Sequence, residues 1–568
     1  MDQPGSPELH TYVTGSYRRG SRRVLLLVLT ALVLVVGGIV IGVFLLLRGV
    51  THPNDETARY LPAHTDVYYS FNMLPGAGQL LQARNIVKRY TNSAVFQNKV
   101  DDFVDTLEKE TGVDLVEDVL PWLGPELGLG IINADAIMED PEVVGFVGTK
   151  DPEKAEKALR EFIEYMEDEL DADFLRGAYG EITTYIEKSG MQDIHFAVTE
   201  HYLVMASKEN LLENTLDMMI KSENSLWDKD EFKDARESVL ARRFSFLYVD
   251  VDNIMGLAIG EAGIEDALGT NVLDEVRDNL PRILGVSGSF VDRGIRIDGF
   301  YDTPEGGNLI GSANSLGSAS LIPDDSMALI SVTGLTEAWG ELEDSLDLRP
   351  TVRDIDAGLG IDIDRDVLGW ITGEVAVAVL SNNFPSDLSS VLEDAIGALV
   401  FFEFSDYRDA EDALGNIVDA LEDLGVPFSA VEIDGQEATM MDLEAFFADI
   451  LGDVVYWPGF MLLDNHVVFG TTKGALRAVV EVQNGDEAPL SSDGEFTRVI
   501  EMVPEGKHGL LFLNAKDLIQ AFEIPMDAET RNQYRVNVAP YVEPIRTLMG
   551  GIEVNEEVST FTFVVTIQ

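Results

Sequence analysis

Short stretches in which apolar and polar residues alternate are separated by stretches with the apolar spacing of a helix. Residues 67–71, 143–147 and 244–249 have the pattern of strands. After Asp151, apolar residues at 155, 159, 162, 163 and 166 fall on one face of a helix. The runs 283–290 and 295–301 flank Asp-Arg-Gly and predict a hairpin. Strands joined by short turns, with helices between sets of strands, indicate an α+β fold with a largely antiparallel sheet.

The pattern occurs twice along the chain. Residues 112–126 match residues 360–374 at seven of 15 positions, with a constant offset of 248. The helix after Asp151 matches the stretch after Asp406 at an offset of 255, and residues 246–250 match 510–514 at an offset of 264. We therefore predict two tandem homologous domains at residues 55–303 and 321–568, each a largely antiparallel sheet with helices packed on it. A Gly- and Ser-rich linker at 304–320 would join them.

One long apolar run lies near the start of the chain. Residues 24–47 contain no charged side chain, and a helix of this length spans about 36 Å, enough for a hydrocarbon core of roughly 30 Å. Four arginines precede the run and one follows it closely. The distribution predicts a single-pass signal anchor at the cell membrane, with residues 1–23 cytoplasmic and 49–568 extracytoplasmic. A cleaved signal peptide is the alternative, which the length of the run disfavours.

Composition then narrows the classes of partner. The chain has 100 acidic and 40 basic residues, a formal net charge of −60, and no cysteine. An acidic surface argues against nucleic acid as a partner, because phosphate binding requires a basic surface. The lack of cysteine excludes disulfides, thiolate metal sites and cysteine nucleophiles. The sequence leaves open whether the acidity reflects a saline habitat or ion binding.

One acidic group has the spacing that begins a calcium-binding loop. Asp362, Asp364 and Asp366 alternate along the chain, but the sixth and twelfth loop positions hold Val367 and Gly373 instead of Gly and an acid. These three aspartates are therefore only weak candidates for metal ligands.

A second acidic group follows a predicted strand. Asp250 and Asp252 would share one face of the strand end, but their counterparts in the second copy are Asn514 and Lys516. A ligand set common to both copies is not supported. No cofactor is assigned; calcium is the ion that these aspartates suggest, and other divalent cations could associate with so acidic a chain.

Three pairs of identical residues, a tryptophan, an aspartate and a glutamate in each copy, lie at equivalent positions of the repeat. We expect the tryptophans to pack in the core and the aspartates to cap the following turn. One glutamate per copy would form a catalytic pair only if the two came close in space. These repeat anchors are Trp122, Trp370, Asp118, Asp366, Glu126 and Glu374.

Three blocks together carry a family resemblance. Residues 61–66 (LPAHTD), 112–124 (GVDLVEDVLPWLG) and 149–155 (TKDPEKA) resemble the prokaryotic domain-of-unknown-function family 3352. The second copy departs from the pattern, with Gly369 where the first has Pro121. The resemblance implies an N-terminal membrane or signal segment but no reaction, ligand or catalytic residue.

These observations favour a membrane-anchored, non-enzymatic binding or scaffold module of the cell envelope, with an envelope protein or glycan as its partner. No catalytic residue is assigned, and the oligomeric state is left open. The first alternative is an envelope hydrolase that uses carboxylates at an interdomain groove. The second is a calcium-binding surface module of low affinity.

Overall fold

A computed structural model describes most of the chain beyond residue 54. The described ranges are 55–73, 77–91, 115–132, 142–189, 194–221, 223–254, 281–302, 313–336, 360–381, 397–441, 458–523, 526–555 and 558–568, with a few isolated residues between them. We call residues 55–302 the first half and residues 313–568 the second half.

The structure describes ten strands in each half. Those of the first half are β1 (Val67–Asn72), β2 (Leu123–Ile131), β3 (Val143–Thr149), β4 (Phe174–Tyr179), β5 (Ile182–Glu187), β6 (His195–Val198), β7 (Tyr202–Ala206), β8 (Ser245–Asp250), β9 (Ile283–Val291) and β10 (Gly294–Asp302). Those of the second half are β11 (Ala328–Val332), β12 (Val375–Val379), β13 (Ala398–Glu403), β14 (Phe428–Ile433), β15 (Gln436–Met441), β16 (Gly459–Leu462), β17 (His466–Gly470), β18 (Gly509–Asn514), β19 (Ile545–Glu553) and β20 (Val558–Ile567).

Helices connect the strands, and α2 to α4 of the first half have counterparts in α5 to α7 of the second. The α-helices of the described chain are α1 (Ala77–Thr91), α2 (Pro152–Leu170), α3 (Glu209–Ile220), α4 (Asp230–Ser238), α5 (Tyr407–Asp423), α6 (Lys473–Asn484), α7 (Gly494–Ile500), α8 (Ala515–Glu523), α9 (Ala528–Asn537) and α10 (Ala539–Val542). Short 3-10 helices cover Glu56–Tyr60, Leu226–Asp228, Gly317–Ser320 and Leu490–Ser492, and π-helical turns cover Leu115–Val119 and Ile363–Leu368.

All 20 described strands belong to one antiparallel sheet. The strand pairs give the order 4-5-6-7-3-2-1-8-9-10 in the first half and the mirror order 20-19-18-11-12-13-17-16-15-14 in the second. The two halves join where β10 pairs with β20 over nine residue pairs, from Gly294↔Thr566 to Asp302↔Val558. The sequence of strands therefore reads the same from either edge of the sheet.

The fold class predicted from the sequence needs two corrections. A separate sheet for each copy is wrong, because the β10–β20 pairing makes one continuous sheet. The predicted transmembrane helix and signal anchor are not supported either, since no helix in the described part of the chain has the length and apolarity to cross a bilayer. Residues 24–47, to which that prediction referred, lie outside the described residues.

The first repeated element of the second half begins before residue 321, the predicted start of the second copy. The 3-10 helix Gly317–Ser320 takes the place of Glu56–Tyr60, yet it falls within the predicted linker 304–320. The domain boundaries themselves remain a prediction.

Each half buries apolar side chains on both faces of the sheet. The front face, which includes Phe146 and Phe401, packs against α3 and α4 in the first half and against α6 and α7 in the second. The back face, which includes Val147 and Phe402, packs against α2 in the first half and α5 in the second. Both back-face helices begin at an aspartate that caps backbone N–H groups, Asp151 and Asp406.

Candidate functional site

A carboxylate is buried on the front face of the first half. Glu126, 4% exposed, lies on β2. Its Oε1 accepts hydrogen bonds from the backbone N–H of Thr57 at 3.2 Å and from the Thr57 hydroxyl at 3.1 Å, and its Oε2 accepts from the Tyr202 hydroxyl at 3.0 Å. Burial raises the pKa of Glu126 to about 7, although the hydrogen bonds from Thr57 and Tyr202 act in the opposite direction.

A buried ion pair lies in the same network. The Arg243 guanidinium donates to Asp55 Oδ2 at 2.5 Å, and the two side chains are 4% and 2% exposed. The Ser70 hydroxyl donates to the other oxygen of Asp55, and Tyr68 shares a hydrogen bond with Thr57 at 2.9 Å. These contacts fix the 3-10 helix Glu56–Tyr60 to the sheet.

The second half places Glu374 at the equivalent position, fully buried just before β12. Its Oε1 accepts from the hydroxyls of Ser318 and Ser331, at 2.6 and 2.5 Å, and its Oε2 accepts from the Ser318 backbone N–H at 2.9 Å. Serines thus take the positions of Thr57 and Ser70.

Histidine replaces tyrosine in this second network. His466, 2% exposed, stands where the first half has Tyr202, and its Nε2 lies 4.0 Å from Glu374 Oε2 without a hydrogen-bond partner. Its Nδ1 lies 3.0 Å from Asn465 Oδ1. Burial lowers the pKa of His466, and the nearby carboxylates of Glu374 and Glu403 oppose this shift.

The ion pair has no counterpart there. Leu316 holds the N-cap position that Asp55 has in the first half, and Asn314 supplies the contact to the equivalent serine, since its amide donates to Ser331 Oγ at 2.6 Å. Lys507 corresponds to Arg243; burial lowers the pKa of this lysine, which is 9% exposed.

Glu126 and Glu374 do not form a pair. Nine strand spacings separate β2 from β12, roughly 40 Å along the sheet. A carboxylate pair for glycoside hydrolysis requires a separation of about 5–10 Å. Each glutamate is also buried beneath a 3-10 helix, so the arrangement ties that helix to the sheet rather than presenting an acid to a substrate.

The first predicted calcium candidates lie at a π-helical turn. Asp362 is its N-cap and accepts from the Arg365 backbone N–H at 3.0 Å, while Asp364 is exposed. Asp366 is buried and accepts from the Asp362 N–H at 2.9 Å and from the Arg365 side chain at 2.6 Å. The hydrogen bond from Arg365 lowers the pKa of Asp366 to about 2, against the effect of burial. The residue that caps this turn is therefore Asp362, and Asp366 closes the turn from within.

The two tryptophans of the repeat are both buried, each 5% exposed. The indole N–H of Trp370 donates to the Asp366 carbonyl at 3.0 Å. The indole N–H of Trp122 is buried without a hydrogen-bond partner. Asp118, the counterpart of Asp366, lies half-buried in the π-helical turn Leu115–Val119.

The other calcium candidates are not brought together. Asp250 forms an ion pair with Lys229 at 3.0 Å and accepts a hydrogen bond from the Asn253 N–H at 3.4 Å. Asp252, two residues after the end of β8, is half-buried. Within the described ranges, no group of three or more His, Asp or Glu side chains could hold a metal ion.

The second half contains an apolar cavity that the sequence did not indicate. It lies between α5 and the back face and has a volume of about 210 Å³. Every lining residue is apolar except Thr471. The walls include Leu414, Ile417 and Leu421 of α5 and Val400, Phe460 and Phe469 of the sheet.

One larger side chain lies in the corresponding region of the first half. Phe162 of α2 is the counterpart of Ile417 and packs edge-on against Phe196, with ring centroids 6.3 Å apart. Phe174 packs on the other side of Phe196 at 5.9 Å. The offset of 255 had aligned the two helices, so the exchange of Phe for Ile was visible in the sequence, but its effect on volume was not.

Comparison with known proteins gives one match of wide extent. The family model described as "Protein of unknown function (DUF3352)" matches residues 27–564. None of the curated proteins matches the sequence.

Solved structures of TP0453 are similar to part of the chain. Crystal form III has 9% identity and a TM-score of 0.23, covering 45% of this chain and 81% of that one. Crystal form I has 11% identity and a TM-score of 0.22, covering 44% and 79%. Likeness at this level supports no conclusion about fold or function.

Proposed function

Because that match extends over most of its length, the chain belongs to the DUF3352 family of proteins of unknown function, and we propose that it is a non-enzymatic binding protein for small apolar groups. The cavity between α5 and the back face of the second half is the observation that carries this proposal.

Size and lining support this function. An enclosed cavity of roughly 150 Å³ lined by Leu, Ile and Phe binds benzene in another protein; the cavity here is partly open to solvent, and its volume of about 210 Å³ has room for a substituted ring or a short alkyl group. Each apolar atom transferred from water into the cavity gains contacts with α5 on one side and with the sheet on the other. A ligand held by burial alone needs no catalytic group.

The first half provides the design of a test. In Ile417→Phe, the second half receives the residue that the first half has at Phe162, and the added ring occupies the cavity. We expect toluene to raise the melting temperature of the unmodified chain and to bind Ile417→Phe at least tenfold more weakly, as measured by calorimetric titration.

Glu411→Gln, on the exposed side of α5, is the matched control and should bind toluene like the unmodified chain. Equal affinity of Ile417→Phe and the unmodified chain for toluene, or no binding by either, would refute the proposal.

The reverse exchange tests whether the volume difference arises from this position. Phe162→Ile removes a ring that packs on Phe196 and should cost about 1–3 kcal/mol of stability, while Ile417→Phe should be neutral or stabilising. The midpoint of denaturant unfolding measures both. A stability loss in Ile417→Phe as large as that in Phe162→Ile would mean that the cavity is too narrow for the ring.

A further inference from the structure

One wall of the cavity adjoins an exposed part of the same sheet face. Val400, in the cavity wall, pairs with Val377 of β12, Val377 pairs with Ile330 of β11, and Ile330 pairs with Leu511 of β18. Directly paired residues of antiparallel strands point to the same face, so these side chains form one row on the back face. We call Val377, Ile330, Leu511 and the adjacent Val332 the apolar strip.

The strip is accessible to solvent. Ile330 is 50% exposed, Val377 40% and Val332 39%, and Leu511 is half-buried. Contiguous exposed apolar side chains next to a cavity are typical of a ligand groove. Three strand spacings separate Val400 from Leu511, roughly 14 Å along the row.

We propose that the natural ligand of this cavity is a single unbranched alkyl chain, an inference that rests on the proposed binding function. Its end would lie in the cavity beneath α5, and the rest of the chain would lie along the apolar strip towards Leu511. The cavity accommodates a short apolar group, and the strip lies beside its Val400 wall and runs in one direction along the sheet.

Charge argues against the two other occupants. A second copy of the chain would bring together two molecules of net charge −60. A basic partner protein would be attracted by carboxylates, but the residues of the strip are all apolar. An alkyl chain with an uncharged or cationic head group is not repelled by the acidic chain, and its apolar body matches the apolar strip.

The test is a length series of straight-chain 1-alkanols, from butanol to dodecanol, titrated into the full chain with toluene as a compact reference. A methylene that lies on the strip should strengthen binding by about two- to fourfold until the chain passes Leu511. The double variant Ile330→Thr with Val377→Thr should keep toluene binding and lose the gain per methylene for the longer alkanols.

The matched control is Ile220→Thr, an exposed isoleucine of α3 in the first half, which should leave the whole series unchanged. Toluene binding with a flat alkanol series would overturn the alkyl-chain inference and leave the binding function standing, whereas failure of toluene itself would refute the binding function. A dimer in sedimentation that the double variant dissociates would identify the strip as a contact between copies and also overturn the inference.

Discussion

The two halves bury a glutamate at the same position of the repeat and surround it differently. Glu126 accepts hydrogen bonds from Thr57 and from the Tyr202 hydroxyl, and a buried Asp55–Arg243 ion pair lies in the same network. Around Glu374 two serines donate, and a histidine without an Nε2 partner faces the carboxylate. The shared feature is a buried acceptor that holds a 3-10 helix on the sheet. The difference shows that this connection can be kept while the charge balance around it changes.

The ion pair predicts the largest difference between the halves. Arg243→Met leaves Asp55 buried without its cation and should cost about 3–5 kcal/mol of unfolding free energy. Lys507→Met removes a cation whose burial already lowers its pKa, and it should cost about 1 kcal/mol or less. Denaturant midpoints at pH 7, followed by fluorescence, compare the two variants. Equal losses would show that the Asp55–Arg243 ion pair stabilises the first half no more than Lys507 stabilises the second.

Sequence reasoning succeeded where the signal was a repeat with a constant offset. Offsets of 255 and 264 aligned α2 with α5 and β8 with β18, and the structure has these elements at those places. Family membership also followed from local motifs and is confirmed. Such signals are local, so they could be detected without knowing which strands pair.

The junction of the halves had no local signal. A terminal hairpin strand has the same pattern whether its outer edge faces solvent or another strand, so β10 and β20 gave no indication that they pair. One residue does reflect the contact: Gly299 lies opposite Phe561, and a Cβ at this glycine would be 1.9 Å from the phenylalanine ring. Only the pairing explains why glycine is needed there.

The cavity could not be predicted for a different reason. Both α2 and α5 have a continuous apolar face, and an apolar pattern does not report volume. The space depends on how Ile417, Phe460 and Phe469 fit against each other, which requires coordinates. The calcium candidates failed to converge because Asp362 and Asp366 serve as hydrogen-bond acceptors within their own turn.

The second prediction concerns opposite responses to pH. Glu126 has a raised pKa, so its protonated form favours the folded state, and the stability it contributes at low pH is lost as pH rises from about 4.5 to about 7. The total loss of unfolding free energy across this pH range is about 3 kcal/mol. His466 has a lowered pKa, so the stability that its neutral form provides is present above pH 6.5 and is lost as pH falls below that value.

Two isosteric or near-isosteric variants separate these contributions. Glu126→Gln should remove the loss between pH 4.5 and 7, and His466→Gln should remove the loss below pH 6.5. Unfolding midpoints measured from pH 4 to 8 on each variant and on the unmodified chain give the comparison. A Glu126→Gln profile parallel to that of the unmodified chain across this range would show that Glu126 does not titrate there.

The smallest predicted difference lies between the two tryptophans. Trp122→Phe and Trp370→Phe remove the same indole ring from sites of equal burial, so the loss of apolar contacts largely cancels between them. The two variants then differ in one hydrogen bond, the one that the Trp370 indole N–H donates to the Asp366 carbonyl at 3.0 Å. Trp122→Phe removes no such bond, because the indole N–H of Trp122 is buried without a partner. Trp370→Phe should therefore be less stable than Trp122→Phe by about 1 kcal/mol, read from denaturant midpoints under identical conditions. Equal stability would mean that the hydrogen bond from the indole contributes nothing beyond the packing that both halves share.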